Sequence, residues 1–255
     1  MEDSFEKWLE AVKPNLRSMY EEAIKEEGNK EENPEETKRP VWEYEKIGET
    51  HIVAIEPLAL RMFVGSHQGT NLPMDNFMNA SFVWWEDYPN NQKPYPTSMI
   101  IYNGEIISNK QPNGYWSGQF AGQGVPTPTF IVYKDGRVIM KDVNDLSSEA
   151  ESIHIAVTVV QTNPLIRQQG YSPYVSWSSI DYSANRIGIF YRIEDKRVLL
   201  VYRPTTNTSR LHTTGVNIGA DFGGSLDSGG SANFRVNGVR VNVTSRRMYA
   251  ALVWG

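Results

Sequence analysis

The sequence lacks cysteine altogether among its 255 residues, which excludes disulfides, thiolate catalysis and cysteine-ligated zinc. Histidine is scarce as well: the four histidines are scattered, and no two have the spacing of a helical metal-ligand pair. The formal net charge is −5, so we expect no nucleic-acid partner, because such binding needs a basic surface. No apolar run is long enough to span a bilayer, and the acidic start at residues 2–3 is unlike a secretion signal. We therefore expect no membrane span and no signal peptide.

The first 29 residues carry the apolar spacing of a helix. Apolar side chains recur at alternating steps of four and three residues from Phe5 to Ala23, as they do along the seam of a coiled coil. Pro14 interrupts this seam because it cannot donate to the carbonyl four residues back. Residues 1–29 are therefore predicted to be helical, either packed on the chain's own domain or forming a homo-oligomer through residues 5–24. Residues 30–42 are largely charged and contain two prolines, which indicates a polar linker.

Residues 43–255 are rich in strand-like runs. Ten runs enriched in valine, isoleucine, tyrosine and phenylalanine follow one another between His51 and Trp254. Regular helix is confined to one candidate at residues 206–220, whose glycine and threonines make it a weak helix former. The expected fold class is α+β, a β-rich domain at 43–255 preceded by the N-terminal helical segment. Three dipeptides between the runs are strong hairpin signals: Asn103-Gly104, Asp135-Gly136 and Asn237-Gly238.

Seven segments of the β-rich region, taken in order, carry a resemblance to a known family. The most informative read Asn-Ala-Ser-Phe at 79–82, Ala-Asn-Arg-Ile-Gly at 184–188, Leu-Asp-Ser-Gly-Gly-Ser at 226–231 and Arg-Met-Tyr-Ala-Ala-Leu-Val at 247–253. They resemble the Asn-Gly-Gly-Phe-Phe, Arg-Thr-Ala-Ile-Gly and Leu-Asp-Gly-Gly-Gly-Ser motifs and the closing arginine-led strand of the phosphodiester glycosidase domain family, which includes N-acetylglucosamine-1-phosphodiester α-N-acetylglucosaminidases. The departures are Ala80, Ser81 and Ser228 in place of glycines, and Arg186 two residues late. With no cysteine and no signal peptide, the chain looks like a phage or bacterial member.

The resemblance implies hydrolysis of a sugar 1-phosphodiester between the anomeric carbon and the phosphate oxygen. Because a phosphate monoester leaves readily, the reaction mainly needs groups that hold the phosphate and a carboxylate that activates water or stabilises the oxocarbenium-like centre. The implied carboxylate is Asp227. The implied phosphate ligands are Arg186 and Arg247, since a guanidinium fork matches two phosphate oxygens. Asn79 completes the implied catalytic set.

Further residues are implied to contact the substrate. The turn that follows Asp227 is expected to present backbone amides to the phosphate as a nest. Trp85 is expected to stack against a sugar face, since indole rings supply large flat contact areas. Glu86, the next residue, supplies a second carboxylate and is a runner-up base. The residues implied to bind substrate are Ser228, Gly229, Gly230, Ser231, Glu86 and Trp85.

Each of these residues has a purely structural alternative. An aspartate followed by small residues often caps its own turn, and arginines commonly form surface ion pairs. In this structural alternative, Trp85 belongs to the hydrophobic core. Oxygen ligands near Asp221 and Asp227 would suit a calcium ion, but nothing in the sequence requires one. No cofactor is therefore expected, with calcium as the open option.

The expected function is a glycoside hydrolase-type enzyme that cleaves a sugar-1-phosphodiester, for example in a cell-wall or teichoic-acid-like polymer. Its expected partner is a sugar phosphodiester or another phosphate-containing glycan. The alternative is a non-catalytic glycan-binding or structural module of a phage tail or cell surface, because a fold does not settle a function. With no signal peptide, the cytoplasm or a phage virion is the expected location.

Overall fold

The computed structural model describes residues 39–80, 83–85, 94–96, 99–109, 127–159 and 183–255, with the backbone alone for 83–85, 94–96, Asn109 and Thr127. Val41–Gly255 form one compact unit. The helix predicted at 1–29, its seam at 5–24 and most of the predicted linker at 30–42 lie outside the described residues.

The described residues form seventeen strands and one α-helix. The helix, α1, is Thr208–Asn217. The strands β1 to β17, in chain order, are Trp42–Ile47, Thr50–Ile55, Arg61–Gln68, Phe77–Asn79, Val83–Trp85, Pro94–Pro96, Met99–Tyr102, Glu105–Asn109, Thr127–Tyr133, Val138–Val143, Ile153–Thr158, Ala184–Arg192, Arg197–Thr206, Phe222–Ser225, Phe234–Val236, Val239–Asn242 and Arg247–Val253.

The strands build three five-stranded sheets and one two-stranded sheet. The first sheet has the order β1-β2-β13-β12-β14, the second β10-β9-β11-β7-β8, and the third β16-β15-β4-β17-β3. Strands β5 and β6 pair with each other. Every pair among the described strands is antiparallel. The third sheet joins strands from both ends of the chain, and this arrangement brings Asn79 close to the motif at 226–231.

The three predicted hairpin turns are confirmed. The Asn103-Gly104 turn joins β7 to β8, with φ angles of 50° and 93°. The Asn237-Gly238 turn joins β15 to β16, with φ angles of 51° and 73°. Positive φ at both central residues is what a tight two-residue hairpin requires, and asparagine followed by glycine tolerates it best. Gly136, at φ 86°, serves the same purpose between β9 and β10.

The candidate helix at 206–220 is confirmed as α1. Asn207 caps its N-terminus, since the Oδ1 atom accepts a hydrogen bond of 2.9 Å from the backbone N–H of Arg210. The buried face of α1 packs on β12, where the ring centroids of His212 and Phe190 lie 6.2 Å apart in an edge-on arrangement. This burial stabilises a segment whose propensity alone is weak. No helix in the described ranges has the length and apolar character needed to cross a membrane.

One hydrophobic cluster connects the three large sheets. It includes Phe130 from β9, Ile189 from β12 and Phe234 from β15, all fully buried. The ring of Phe222, at the start of β14, lies 5.9 Å from that of Phe130. Each sheet therefore buries one face against the others, as alternating apolar side chains in a strand allow.

The predicted α+β class is wrong. The described residues form three five-stranded antiparallel sheets and a single ten-residue helix, which is a mostly-β architecture. Alternating apolar residues and hairpin turns favour strand pairing along almost the whole described chain. The α+β prediction counted residues 1–29, on the basis of their apolar spacing, as a helical part of the fold. That segment lies outside the described residues, so no N-terminal helical segment is shown.

Candidate active site

Asp227 lies two residues after the end of β14. The backbone N–H of Leu226 donates to Ile187 O at 2.9 Å and extends the pairing of β14 with β12 by one residue. The hydroxyl of Ser228 accepts a hydrogen bond from Ile187 N at 3.3 Å and donates to Leu226 O at 2.8 Å. The Ser228 side chain thus satisfies the Ile187 N–H of β12, and the backbone ladder between β12 and β14 ends at Leu226.

A single 3₁₀ turn, Gly229–Ser231, follows. Gly229 has a φ of 67°, a left-handed value that a side chain would strain. A Cβ atom on Gly230 would lie 3.1 Å from Arg246 Nη1, so this glycine allows the guanidinium to cross close to the turn. The N–H groups of Ser231 and Ala232 donate within the turn, to Ser228 O and Gly229 O. The amides of Gly229 and Gly230 are therefore the candidates for the predicted phosphate nest.

Four side chains from three separate segments gather around the Asp227 carboxyl, and we call them the Asp227 cluster: Asp227, Asn79, Ser231 and Arg246. Asn79 ends β4 with 1% of its surface exposed, and its Nδ2 atom donates to Ser231 O at 3.1 Å. The side chains of Ser231 and Asn79 both hydrogen-bond to the Asp227 carboxyl. The Nη1 atom of Arg246 donates to Ser231 Oγ at 3.3 Å.

The environment of the Asp227 carboxyl holds its proton unusually tightly. Burial raises the pKa of Asp227 to about 7, while hydrogen bonds from Ser231, the Ser228 backbone and Asn79, and the charge of Arg246, act to lower it. The residue as a whole keeps partial exposure to solvent, so a bound molecule can still approach the desolvated carboxyl. A carboxyl that titrates near neutral pH can serve as a general acid or a general base.

Arg246 and its neighbour Arg247 have different partners. The Nη1 atom of Arg247 donates to Ser66 O at 2.9 Å and to Ser66 Oγ at 3.3 Å, on the neighbouring strand β3. Arg246, just before β17 begins, donates to Ser231. The arginine pair was a visible signal in the sequence, but only the fold of the loop before β17 shows that Arg246 contacts Ser231.

Arg186 lies in the interior of the first sheet, with 4% of its surface exposed. Its cross-strand partner on β13 is Arg203. The Nη1 atom of Arg203 donates to Thr214 Oγ1 of α1 at 2.6 Å. On the other side of β12 lies β14, where Gly188 pairs with Ser225. A buried guanidinium is costly unless compensated, and the role of Arg186 at the phosphate stays a prediction.

Asp221 and Asp227 lie at opposite ends of β14. The Oδ2 atom of Asp221 accepts a hydrogen bond of 2.6 Å from Ile193 N, and its own N–H donates to Tyr191 O. Asp227 comes six residues after Asp221, so along extended chain their Cα atoms lie roughly 20 Å apart, and one calcium ion would bind near one or the other but not both. Within the described ranges, no group of three or more His, Asp or Glu side chains is arranged to hold a metal ion.

Two of the predicted substrate-binding residues, Trp85 and Glu86, belong to the segment that follows β4. Glu86 lies outside the described residues. Trp85 ends the strand β5, which is described by its backbone alone.

Solved structures that are similar to this chain in fold include a bacterial protein and a vertebrate enzyme domain. No family model and no curated protein matches the sequence. A putative exported protein from Burkholderia pseudomallei K96243 shares 11% identity over 80% of this chain and 73% of its own, with a TM-score of 0.51. The catalytic domain of zebrafish N-acetylglucosamine-1-phosphodiester α-N-acetylglucosaminidase, auto-inhibited by its pro-peptide, shares 13% identity over 86% of this chain and 84% of its own, with a TM-score of 0.62. The resemblance to a phosphodiester glycosidase is therefore confirmed at the level of the fold.

Proposed function

We propose that this chain hydrolyses a sugar 1-phosphodiester, with the Asp227 cluster as its active site. One observation carries the proposal: a carboxyl with a pKa of about 7 is held beside an arginine and a glycine turn. A fold that resembles a phosphodiester glycosidase agrees with this chemistry. Polymers whose sugars are joined through phosphate, such as those of bacterial cell walls, are the proposed class of substrate.

In the proposed reaction, a water oxygen forms a bond to the anomeric carbon while the bond from that carbon to the phosphate oxygen breaks. The electron pair of the broken bond leaves with the phosphate monoester. The Asp227 carboxylate takes the proton of the attacking water, which its near-neutral pKa allows. The guanidinium of Arg246 and the amides of Gly229 and Gly230 bind the phosphate oxygens and stabilise the charge that develops on them.

Hydrolysis in ¹⁸O-labelled water tests this proposal, because it shows which bond breaks. A panel of sugar 1-phosphodiesters should release a reducing sugar that carries the label, together with an unlabelled phosphate monoester. The label in the phosphate would mean attack at phosphorus and would contradict the proposed reaction. Binding of the same compounds without any hydrolysis would favour a non-catalytic glycan-binding module.

Asp227→Asn tests the carboxyl itself, because it preserves the shape and removes the ionisable group. We expect the turnover number to fall by about a hundredfold or more, as for the loss of a general base. Asp221→Asn is the matched control, since it changes the carboxylate at the other end of β14 and should leave turnover within about twofold of the native value. A folded Asp227→Asn protein with native turnover would show that the active site lies elsewhere.

A further inference from the structure

The loop that carries Arg246 is joined to the turn after Asp227 by several polar contacts. This loop, residues 243–246, connects β16 to β17. The hydroxyl of Thr244 donates to Gly230 O at 3.2 Å and accepts a hydrogen bond from Arg246 N at 3.3 Å. The Nδ2 atom of Asn242, just before the loop, donates to Ala232 O. The direction in which Arg246 projects therefore depends on how the loop is held against the turn.

Asn233 lies at the centre of this connection, with 1% of its surface exposed. Its Nδ2 atom donates to Ser231 O at 3.1 Å, and its Oδ1 atom accepts a hydrogen bond of 2.7 Å from Thr244 N. Its backbone carbonyl accepts a hydrogen bond of 3.1 Å from Asn79 N. A buried amide bonded at both ends fixes the distance between its partners, since breaking either bond leaves a buried polar group unsatisfied.

Gly69, from a third segment, closes the space beside the Asn233 amide. A Cβ atom on Gly69 would lie 2.2 Å from Asn233 Oδ1 and 3.1 Å from Thr244 O. The backbone at Gly69 therefore approaches Asn233 more closely than any residue with a side chain could. The amide is enclosed between this glycine, the turn and the loop.

We propose that Asn233 is a positioning residue of the active site, which holds the Arg246 loop against the Ser231 turn and so sets the place of the guanidinium in the Asp227 cluster. Asn233 acts through its neighbours and contacts no reacting atom. Its significance for catalysis rests on the proposed function, in which Arg246 binds the substrate phosphate. The charged group that acts on the Asp227 carboxyl is Arg246, from this loop.

A double-mutant cycle with inorganic phosphate as the probe tests whether Asn233 acts through Arg246. We expect Asn233→Ala and Arg246→Ala each to weaken phosphate binding by about tenfold, roughly the loss of one charge-assisted contact. The double variant should bind no more weakly than Arg246→Ala alone, because the positioning residue then has nothing left to position. Effects that simply add in the double variant would overturn the proposal.

A second measurement needs no substrate and so separates this proposal from the proposed function. In protein with ¹³C-labelled aspartate, the Asp227 carboxyl can be titrated by NMR and identified by its absence in Asp227→Asn. Asn233→Ala should raise its pKa by about 0.5 or more, because the influences of Arg246 and Ser231 that lower it are weakened. An unchanged titration would overturn the positioning role even in an active enzyme. A raised pKa in a protein that neither binds phosphate nor hydrolyses would retain the role and reject the proposed function.

Two further variants keep the test decisive if Asn233→Ala unfolds. Thr244→Val removes the hydroxyl that joins Gly230 O to Arg246 N, and it should produce the same two shifts at smaller size. Asn76→Ala is the matched control, because the Oδ1 atom of Asn76 also accepts a backbone hydrogen bond, from Asn237 N at 2.7 Å, at the far end of β15. It should lower thermal stability and leave both phosphate binding and the Asp227 titration unchanged. Equal shifts in Asn76→Ala would reduce Asn233 to an ordinary structural residue.

Discussion

At the scale of single residues, Asp227 combines features that oppose each other. A carboxyl in a desolvated place resists ionisation, whereas hydrogen bonds from Ser231 and Asn79 and the charge of Arg246 favour it. The balance leaves the pKa at about 7, where the group can exchange a proton under ordinary conditions. Such a compromise is typical of working sites, in which local stability is lower than the fold would otherwise permit.

This compromise predicts how Asp227→Asn changes stability with pH. The unfolded chain loses the Asp227 proton near pH 3.8 and the folded chain near pH 7, so this group's contribution to folding is complete below pH 3.8 and is lost as pH rises to 7. Asparagine cannot ionise and escapes that loss. The variant should match the native protein at pH 4 and exceed it at pH 8 by on the order of 1–2 kcal/mol, below the ~4 kcal/mol of the full pKa shift because the residue is partly hydrated.

Urea unfolding of both proteins at a series of pH values measures this difference. Using the difference removes the contributions of the other carboxylates, which the two proteins share. A gain in stability that is the same at pH 4 and pH 8 would mean that Asp227 does not titrate in this window.

The neighbouring arginines give a second prediction at this scale. Arg246→Lys keeps the charge but loses the fork that pairs with phosphate oxygens, so kcat/KM on a sugar phosphodiester should fall by about tenfold or more. Arg247→Lys is the natural control, since Arg247 donates to Ser66, and it should cost less than about threefold. Steady-state kinetics of the two folded variants decide between them. A larger loss from Arg247→Lys would indicate that the phosphate binds to Arg247, as the sequence resemblance implied.

At the scale of elements, the short strand β14 places Asp227 by packing very closely on β12. A Cβ atom on Gly223 would lie 2.4 Å from Ile189 O and 2.4 Å from Phe190 Cδ1, and the residue has a φ of 155°. Only glycine allows this approach, which lets the Phe190 ring cover the strand. The end of β14, and with it Asp227, is therefore held to β12 along its length.

A pair of glycine substitutions tests this packing. Gly223→Ala should lower the free energy of unfolding by about 3 kcal/mol or more, because the added methyl group meets backbone as well as a ring. Gly48, between β1 and β2, has a φ of 57° but no atom within 4 Å of its Cβ position among the described residues, so Gly48→Ala should cost only about 1 kcal/mol of backbone strain. Denaturant unfolding gives both values. Equal losses would show that backbone strain alone, rather than the contact with Phe190, governs the site.

At the scale of the whole molecule, the first sheet begins at the point where the predicted linker ends. The carbonyl of Val41 accepts hydrogen bonds from Arg197 Nη1 at 2.7 Å and from Glu56 N at 2.9 Å. Strand β1 follows at once and covers the edge of β2. The β-rich unit is therefore closed at its N-terminal edge by residues 41–47.

Two truncations test this boundary. A chain that starts at Arg39 retains β1 and the Val41 contacts, so its thermal midpoint should stay within a few degrees of the full chain. A chain that starts at Gly48 loses β1 and leaves Arg197, which is 5% exposed, without the Val41 carbonyl; it should unfold roughly 10 °C lower, or aggregate through the uncovered edge. Calorimetry of the three chains measures this. Unfolding of the chain that starts at Arg39 would show that the first 38 residues are part of the fold.

The sequence by itself determined the features that depend on neighbouring residues. Strand periodicity, the three Asn-Gly and Asp-Gly turns and the helix at 206–220 were all predictable, because backbone preferences act over a few residues. The likeness of residues 226–231 to a known motif also indicated the type of fold. The α+β prediction counted residues 1–29 as a helical part of the fold and shows the limit of such reasoning. Apolar periodicity does not reveal whether a segment belongs to the packed core.

Only the tertiary structure decided which side chains meet. Asn79 and Ser231 are 152 residues apart and come within hydrogen-bonding distance because β4, β15 and β17 share one sheet. The contact of Arg246 with Ser231 depends on how the loop at 243–246 folds against the turn, which composition and spacing do not encode. The pKa of Asp227 depends on burial, and the place of Asn233 on contacts with three distant segments. These properties arise from long-range packing, so no local pattern in the sequence could have specified them.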